Sequence, residues 1–453
     1  MHKYRAIDLP RNCRFLLEGY GKEAIATFDE IIAEKGGQWD RPQDFVFDIT
    51  DPEFSAYWLK KSDQPYTSDR EGDPMLSELE KHRACQYSLV PEGTQIQNPI
   101  TMSAVGDLMF AINIQESRGH LYSEVEDLIF DADIKYANLE STLSDEDNVK
   151  TGTENYGDTP YINVSIDDYQ ALTRHKNQKF NILQLANNHI LDCGYEGLAK
   201  TAQQVINDGA LPIGVYLSEE DAYKPQISEH KGIKIGWVAH TFSVNFKPFP
   251  EGKEWLVNMT NFHTEIEPDT SMIESQIKAC RADGCDLVIV TLHWGLEHEF
   301  IPTKQQQEWA HRFADFGADA IIGHHPHVMQ GVEIYQPCTD PQKRIPIIYS
   351  LGNLTPGFAS SATVLSLVAR FNFGSIIQDG KTKVALTSLK LTPVAFLASE
   401  IDGKTVSKLV PIANLNSQNI APSDKQYVDE IIEYTQMVFG DDWKKSRLPI
   451  KSA

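Results

Sequence analysis

The chain has 453 residues, a length that predicts two or three lobes. Hydrophobic residues make up 41% of the sequence and aromatic residues 10%, as is typical of a globular protein. Its 64 acidic residues outnumber its 41 basic residues and give a formal net charge of −23. This charge argues against nucleic acid or an anionic membrane surface as a general partner. The six cysteines include no CxxC pair and predict no disulfide framework. Because the sequence has no signal-peptide pattern and no long apolar run, we expect a soluble, cytoplasmic protein that does not span a membrane.

The beginning of the chain differs in pattern from the rest. Helical periodicity occurs at Lys22–Lys35 and again at 76–83, and a polar stretch rich in Asp and Pro lies between them. We interpret residues 1–98 as an accessory, partly helical region. The stretch 90–99 is rich in turn-forming residues and is typical of a linker.

Residues 99–400 alternate strand and helix patterns, which favours an α/β domain around a largely buried sheet. The predicted strands are 100–105, 136–139, 180–185, 233–238, 287–292, 320–322 and 345–349. The predicted helices are 123–132, 197–208, 270–282 and 304–316. After residue 361, two alternating segments separated by a turn at 378–380 predict antiparallel strands. Residues 401–453 predict a helix at 424–439 and a polar tail.

Carboxylate, amide and imidazole side chains follow several of the predicted strands, at the point where each strand ends. In an open α/β sheet, ligands collect outside the carboxyl ends of the strands. Oxygen and imidazole donors at that edge predict one metal site assembled from distant segments. The candidates are Asp107, Glu140, Asn188, His189, His293, His324, His325 and His327.

Two motifs contribute most to this prediction. In GHHPHV, three histidines fall within four residues on a loop that Pro326 stiffens. Packing explains such a cluster poorly, because buried neutral imidazoles need partners. In ANNHILDCG, Asn188 offers a neutral oxygen ligand and His189 can donate a proton to a leaving group. Asp192 can orient His189 through its second ring nitrogen. A polar loop built on an Asx turn is the alternative explanation.

The remaining positions each have a plain structural alternative. Asp107 is also a residue type favoured at helix caps and loops, and Glu140 alone fits a solvated loop. Asn138 could support the Glu140 carboxylate or cap a turn. His293 ends the most hydrophobic strand, which fits a core histidine, but the nearby Glu297 favours a polar cavity.

Some further residues are candidates for supporting or substrate contacts. The strand at 233–238 precedes His240, which either reaches the same end of the sheet or is an ordinary core histidine. The SLGN segment predicts a tight turn near the site, with Asn353 at its end. The candidate supporting or substrate contacts are Asn138, His240, Glu297, His324 and Asn353.

Taken in order, these residues resemble the CapA family of capsule-synthesis proteins associated with poly-γ-glutamate. The resemblance covers residues 100–395 and rests on six motifs, GDLMF, NLES, ANNHILDCGYEG, HWGLEHE, GHHPHVMQG and YSLGN. It implies an α/β fold of the calcineurin-like metallophosphoesterase type, a four-layer α-β-β-α sandwich that binds a pair of divalent metals.

The resemblance also implies roles for individual residues. Glu140 would bridge the metals and His189 would lie near the leaving group. The implied metal ligands are Asp107, Glu140, Asn188, His293, His325 and His327. Two departures from the phosphoesterase pattern are visible. Asp107 is followed by Leu108 and Met109, so the D-x-H histidine is missing, and the bridging position has Glu in place of Asp.

We therefore expect a CapA-like hydrolase with one or two divalent cations, Mn, Fe or Zn, that activate water for attack on a phosphoester, with an amide as the alternative. His189, oriented by Asp192, would assist the leaving group. The expected substrate is phosphorylated or of the poly-γ-glutamate type, and no nucleic acid is expected as a partner. The alternatives are a non-catalytic, polymer-handling accessory protein and a cytosolic nucleotide or sugar phosphatase.

Overall fold

The fold is described here from a computed structural model. The described residues are 4–14, 17, 21–36, 51–68, 74–111, 113–144, 151–152, 161–263, 265, 267–338, 340–378, 380–416 and 418–447. They form a mixed α/β fold with two large mixed β-sheets, as the alternating pattern predicts.

The helices begin and end close to the predicted positions in most cases. They are α1 (Lys22–Lys35), α2 (Pro52–Asp63), α3 (Met75–Glu80), α4 (Glu126–Ile129), α5 (Ile166–Thr173), α6 (Gly194–Asn207), α7 (Glu219–Ala222), α8 (Ser271–Ala282), α9 (Lys304–Phe316) and α10 (Lys425–Phe439). The start of α9 is fixed by a capping box of Thr303 and Gln306. The predicted helix at 123–132 is shorter than expected, since only α4 lies within it.

Helix α2 was missed in the polar stretch of the accessory region. Its start carries two recognisable signals, an Asp51 side chain that accepts a hydrogen bond from the Glu53 amide (2.9 Å) and Pro52 in the first turn. It packs on α1 around Phe28, Tyr57 and other apolar side chains. None of the helices in the described ranges has the length and apolar character needed to cross a membrane.

The first ten strands lie before residue 214. They are β1 (Gln86–Ser88), β2 (Ile96–Leu108), β3 (Ile134–Leu139), β4 (Thr142–Leu143), β5 (Thr151–Gly152), β6 (Tyr161–Val164), β7 (Arg174–His175), β8 (Gln178–Lys179), β9 (Ile182–Gln184) and β10 (Leu211–Ile213). The remaining strands are β11 (Gln226–His230), β12 (Ile233–Thr241), β13 (Leu287–His293), β14 (Ala320–His324), β15 (Val332–Tyr335), β16 (Ile345–Ile348), β17 (Asn353–Thr355), β18 (Leu365–Gln378), β19 (Lys381–Ile401) and β20 (Lys404–Pro411).

The larger sheet has nine strands in the order β1-β19-β18-β2-β3-β9-β10, with β17 paired to β2 and β20 paired to β19. Strands β2, β3, β9 and β10 are parallel, whereas β18 and β19 are antiparallel, as predicted for this part of the chain. In the predicted turn, Asp379 lies outside the described residues. The predicted linker is wrong at its end, because residues 96–99 already belong to β2. The segment boundaries at 98 and 400 remain predictions.

The second sheet has six strands in the order β11-β12-β13-β14-β16-β15, and its four inner strands are parallel. Successive residues of a strand face opposite sides of the sheet. On β13, Ile289 therefore joins the core shared with the larger sheet, while Val288 and Val290 join the core under α8 and α9. Across the two sheets, Tyr136 stacks on Trp237 with ring centroids 5.8 Å apart. The sheets thus bring two sets of strand ends to one place.

Candidate metal centre

The strand register brings several of the predicted ligands together. On the larger sheet, Asp107 is paired in register with Asn138 and with Asn353. On the other sheet, His293 is paired with His324 at the ends of β13 and β14. These strand ends face one another, so Asp107 and His324, which are 217 positions apart, come within hydrogen-bond distance. The structure therefore places these side chains together where the strands of the two sheets end.

Asp107 is fully buried and held by two neighbouring side chains. His324 Nδ1 lies 2.6 Å from Asp107 Oδ1, and the Asn138 side chain donates a hydrogen bond to the same oxygen (2.8 Å). The second nitrogen of His324 lies 2.8 Å from the Tyr136 hydroxyl. Both nitrogens of His324 are therefore engaged, and His324 supports Asp107 instead of offering a ligand atom.

Glu140, His293 and His325 form a second part of the cluster, and all three are buried. The Nε2 atom of His293 lies 3.4 Å from Glu140 Oε1 and 2.8 Å from the Asn188 side-chain oxygen. Within the described residues, both Glu140 oxygens and His325 Nδ1 have no hydrogen-bond partner. Buried polar atoms without a partner are costly, typically by ~1–3 kcal/mol each. These orphaned atoms fit a bound cation.

Three overlapping groups offer ligand atoms that lie within 4.8 Å of one another. The groups are Glu140 with His293 and His325, Asp107 with Glu140 and His327, and Glu297 with His325 and His327. Mixed carboxylate and imidazole donors suit Mn, Fe or Zn. The cluster could therefore hold one or two divalent cations.

His327 is oriented by Asn353. Its Nδ1 lies 2.9 Å from the Asn353 side-chain oxygen. That oxygen can only accept, so Nδ1 carries the proton and Nε2 is the nitrogen available as a ligand. Nε2 lies 3.6 Å from Glu297 Oε1 and 4.0 Å from Glu140 Oε1.

The histidine loop has an uncommon backbone conformation. The φ angles of His325 and His327 are 95° and 57°, in the left-handed region that L-residues with side chains rarely adopt. Such conformations cost about 1 kcal/mol or more each and persist where the surrounding structure enforces them. Here they aim two imidazoles at the same cluster.

The electrostatics of the cluster favour cation binding. Burial lowers the pKa of His293 and His325 well below the usual range, so both imidazoles are neutral, as metal ligation requires. Burial and then the charge of Asp107 raise the pKa of Glu140 to about 8. A cation beside Glu140 would favour the charged form and reverse that shift.

His189 and Asp192 form a buried pair at the same strand ends. His189 Nδ1 lies 2.7 Å from Asp192 Oδ2, which also accepts a hydrogen bond from the Ile162 amide (2.6 Å). This contact fixes Nε2 as the nitrogen with which His189 can reach a substrate. The pair has the geometry of a proton donor and its orienting carboxylate.

Two residues that contact the cluster, Asn245 and Trp58, were not predicted from the sequence. The Asn188 side chain donates to Asn245 Oδ1 (3.2 Å), and Asn245 Nδ2 lies 3.5 Å from His189 Nδ1. Because Asn245 follows the end of β12, the strand-end rule could have found it. The indole of Trp58 on α2 donates a hydrogen bond to Glu297, and no sequence signal links these two residues.

His240 is not brought to the cluster. Its Nε2 lies 2.8 Å from Gln276 Oε1 and its Nδ1 lies 2.9 Å from Thr260 Oγ1. Residues of β12 alternate between two faces, and His240 shares the face of Val238, which packs in the core under α8 and α9. It is an ordinary core histidine with both nitrogens bonded.

Fold and site together describe an α/β protein with a candidate metal centre at the carboxyl ends of its strands. The family described as "Bacterial capsule synthesis protein PGA_cap" matches residues 101–357, more than half of the sequence. The chain belongs to this family of capsule-synthesis proteins.

Curated relatives carry the name that the motifs suggested. The "PGA biosynthesis protein CapA" of Bacillus subtilis (strain 168) is 28% identical over 267 residues, which cover 57% of this chain and 64% of the relative. The "Capsule biosynthesis protein CapA" of Bacillus anthracis is 27% identical over 266 residues, which cover 56% of this chain and 59% of the relative. The resemblance to CapA is therefore confirmed, although the chain spans less than two thirds of these relatives.

Two further similarities are weaker. A "Probable polyglutamine synthesis accessory protein" of Mycobacterium tuberculosis (strain ATCC 25618 / H37Rv) is 25% identical over 267 residues, which cover 57% of this chain and 63% of the relative. A crystal structure of a hypothetical protein from Thermus thermophilus has 13% identity and a TM-score of 0.35, and the match covers 65% of this chain and 99% of that one. That TM-score is too low to establish a shared fold.

Proposed function

We propose that the protein is a metal-dependent hydrolase of capsule or poly-γ-glutamate metabolism that cleaves phosphoester bonds, with amide bonds as the alternative substrate. The observation that carries this proposal is the buried cluster at the strand ends, in which the Glu140 oxygens and His325 Nδ1 have no partner within the described residues. Three overlapping ligand groups and the His189–Asp192 pair surround it. This combination of possible cation ligands and an oriented imidazole supports hydrolysis as the function.

Each proposed ligand offers a donor that suits one or two cations of Mn, Fe or Zn. The proposed ligands are Asp107, Glu140, Asn188, His293, His325 and His327. A divalent cation bound there would act as a Lewis acid towards a phosphoryl or carbonyl oxygen and lower the pKa of a water molecule. The chain itself excludes bulk solvent, because Asp107, Glu140 and His293 are fully buried.

His189 would donate a proton to the leaving group through Nε2. Asp192 holds the opposite nitrogen at 2.7 Å and stabilises the protonated ring, so the imidazole presents the same edge to the substrate in each cycle. Burial lowers the pKa of His189, but the carboxylates of Asp192 and Glu140 together outweigh this effect and raise the pKa above its usual value. A raised pKa favours the protonated imidazole that a general acid requires.

The architecture that accompanies this function is proposed to be the four-layer α-β-β-α sandwich of calcineurin-like metallophosphoesterases. Alternation on β13 supports it, since Ile289 faces the larger sheet and Val288 faces α8 and α9. Two buried sheets with strand ends facing one another give a cation site with ligands from both.

A non-catalytic accessory role is the second candidate, and one observation favours it. Leu108 and Met109, which follow Asp107, are apolar and buried. This edge of the cluster therefore lacks the histidine of the D-x-H pattern. A relative is named an accessory protein of polyglutamine synthesis. A single bound cation could then mediate contact with the carboxylates of an anionic polymer.

The test is metal analysis together with a generic phosphodiesterase assay in Mn²⁺, Fe²⁺ or Zn²⁺. We expect His325→Ala to lose metal and activity, while His240→Ala, a buried histidine outside the cluster, keeps both. Unchanged metal content and activity in His325→Ala would contradict the proposal. Metal binding and polyglutamate binding without turnover would favour the accessory role. Selective turnover of a phosphorylated metabolite would identify a nucleotide or sugar phosphatase.

A further inference from the structure

The accessory region contacts the candidate metal centre directly. Helix α2 lies outside the residues that match the family, 101–357, yet it packs against the loop that follows β13. Trp58 on α2 donates its indole N–H to Glu297 Oε2. The ring of Trp58 also lies 6.3 Å from that of His298, which in turn lies 6.2 Å from the ring of His327.

Helix α2 is fixed in this place by more than one contact. Lys61 Nζ lies 2.6 Å from Glu299 Oε1, and the two side chains are only 6% and 1% exposed. The Tyr66 amide donates to the His298 carbonyl oxygen, and the Phe300 amide donates to the Tyr66 carbonyl oxygen, both at 2.9 Å. A buried ion pair and two backbone hydrogen bonds therefore hold α2, and with it Trp58, against residues 297–300.

The two oxygens of Glu297 face different partners. Oε2 accepts the indole hydrogen bond of Trp58, whereas Oε1 lies 3.6 Å from His327 Nε2. Glu297, His325 and His327 form one of the three groups whose ligand atoms lie within 4.8 Å of one another. A carboxylate that is hydrogen-bonded through one oxygen is restricted in rotation, so its other oxygen can face a cation with little loss of freedom.

We propose that Glu297 is a metal ligand together with His325 and His327, and that Trp58 is the positioning residue that holds it. Under this proposal, residues 51–66 contribute to metal binding because they hold Glu297 in place. This inference rests on the proposed metal centre but not on hydrolysis. His325 also belongs to the group around Glu140, so Glu297, His325 and His327 would hold a cation next to the one that Glu140, His293 and His325 would hold.

The experiment measures Mn²⁺ stoichiometry and affinity of the full chain by calorimetry and metal analysis, with folding checked by circular dichroism. The variants are Trp58→Phe, which removes the indole donor but keeps an aromatic ring, and Glu297→Gln, which removes the carboxylate. Trp443→Phe is the matched control, because it loses an indole hydrogen bond to the neutral Gln436 in the C-terminal segment.

We expect Trp58→Phe to weaken Mn²⁺ binding about 10-fold, the usual effect of removing a group that orients a ligand. Glu297→Gln is expected to weaken binding further, and Trp443→Phe to bind as the wild type does. In the double variant Trp58→Phe/Glu297→Gln, affinity should equal that of Glu297→Gln alone, since Trp58 acts only through Glu297. A purely structural role of Trp58 would instead give additive losses.

Four results would overturn the assignment. Wild-type Mn²⁺ affinity in Glu297→Gln would exclude Glu297 as a ligand. Wild-type affinity in Trp58→Phe, or additive losses in the double variant, would exclude Trp58 as its positioning residue. Failure of the wild-type protein to bind Mn²⁺, Fe²⁺ or Zn²⁺ would overturn both this inference and the proposed function, whereas metal binding without hydrolysis would contradict only the latter.

Discussion

Gly106 and Gly352 approach one another so closely that a Cβ atom on Gly106 would lie 1.9 Å from the carbonyl oxygen of Gly352. The same oxygen accepts a hydrogen bond from the Asp107 amide (2.9 Å). This contact joins β2 to the segment that carries Asn353, the residue that orients His327. The glycine in the GD motif is therefore required by the close approach of the strand that carries Asp107 and the segment that carries Asn353.

We expect Gly106→Ala to separate these segments and lower the free energy of unfolding by about 1–3 kcal/mol, the usual effect of overpacking a core. Metal affinity should fall as well, because Asp107 and Asn353 move together. The measurement is denaturant unfolding with metal titration. Gly357→Ala is the control, since its Cβ would meet only Met109 Cε at 3.7 Å. Equal stability of the two variants would contradict this account.

Metal removal should destabilise the protein. A ligand that binds only the native state at about 100 times its Kd adds ~2.7 kcal/mol to the free energy of unfolding. We therefore expect added Mn²⁺ to raise Tm and EDTA to reverse the change. His325→Ala should show no such response, whereas His240→Ala should respond as the wild type does. A Tm that is independent of metal in the wild type would show that the cluster holds no cation under these conditions.

The site residues that lie at the ends of strands could be predicted from the sequence. Buried parallel strands such as β13 are continuous apolar runs, so the first polar residue after each run marks the edge of the sheet. Asp107, Glu140 and His293 were found in this way. The same rule could not decide the position of His240, because a shift of one residue along a strand moves a side chain to the other face.

The contact between Trp58 and Glu297 could not be predicted. The two residues are 239 positions apart, and the contact depends on the docking of α2 against the loop after β13. Local patterns report periodicity and caps, and they carry no information on which surfaces meet. The Asp51 cap and Pro52 are sufficient to predict helix α2. They do not predict that α2 packs against the loop after β13.

The Asp192→Asn variant tests the role of His189 in proton transfer. We expect kcat to fall about 100-fold or more, with metal content unchanged, because the imidazole loses its orienting charge. The decrease should be larger for a phosphodiester with a poor leaving group than for a nitrophenyl ester, which needs no acid. Asp168→Asn is the control, because the Asp168 carboxylate accepts a hydrogen bond from Gln115 at the surface. Equal losses for both leaving groups would argue against an acid role.

The buried pair of Lys61 and Glu299 should contribute strongly to the docking of α2. Lys61→Met leaves the Glu299 carboxylate buried without its cation, and loss of one partner of such a pair typically costs ~3–5 kcal/mol. The free energy of unfolding and protection of residues 51–66 from hydrogen exchange should both decrease. Lys81→Met is the control, because Lys81 pairs with Glu78 on the surface, where such pairs are worth at most about 1 kcal/mol. If the two variants unfold at the same denaturant concentration, apolar contacts hold α2 in place. The ion pair would then not be needed to keep Trp58 at the candidate metal centre.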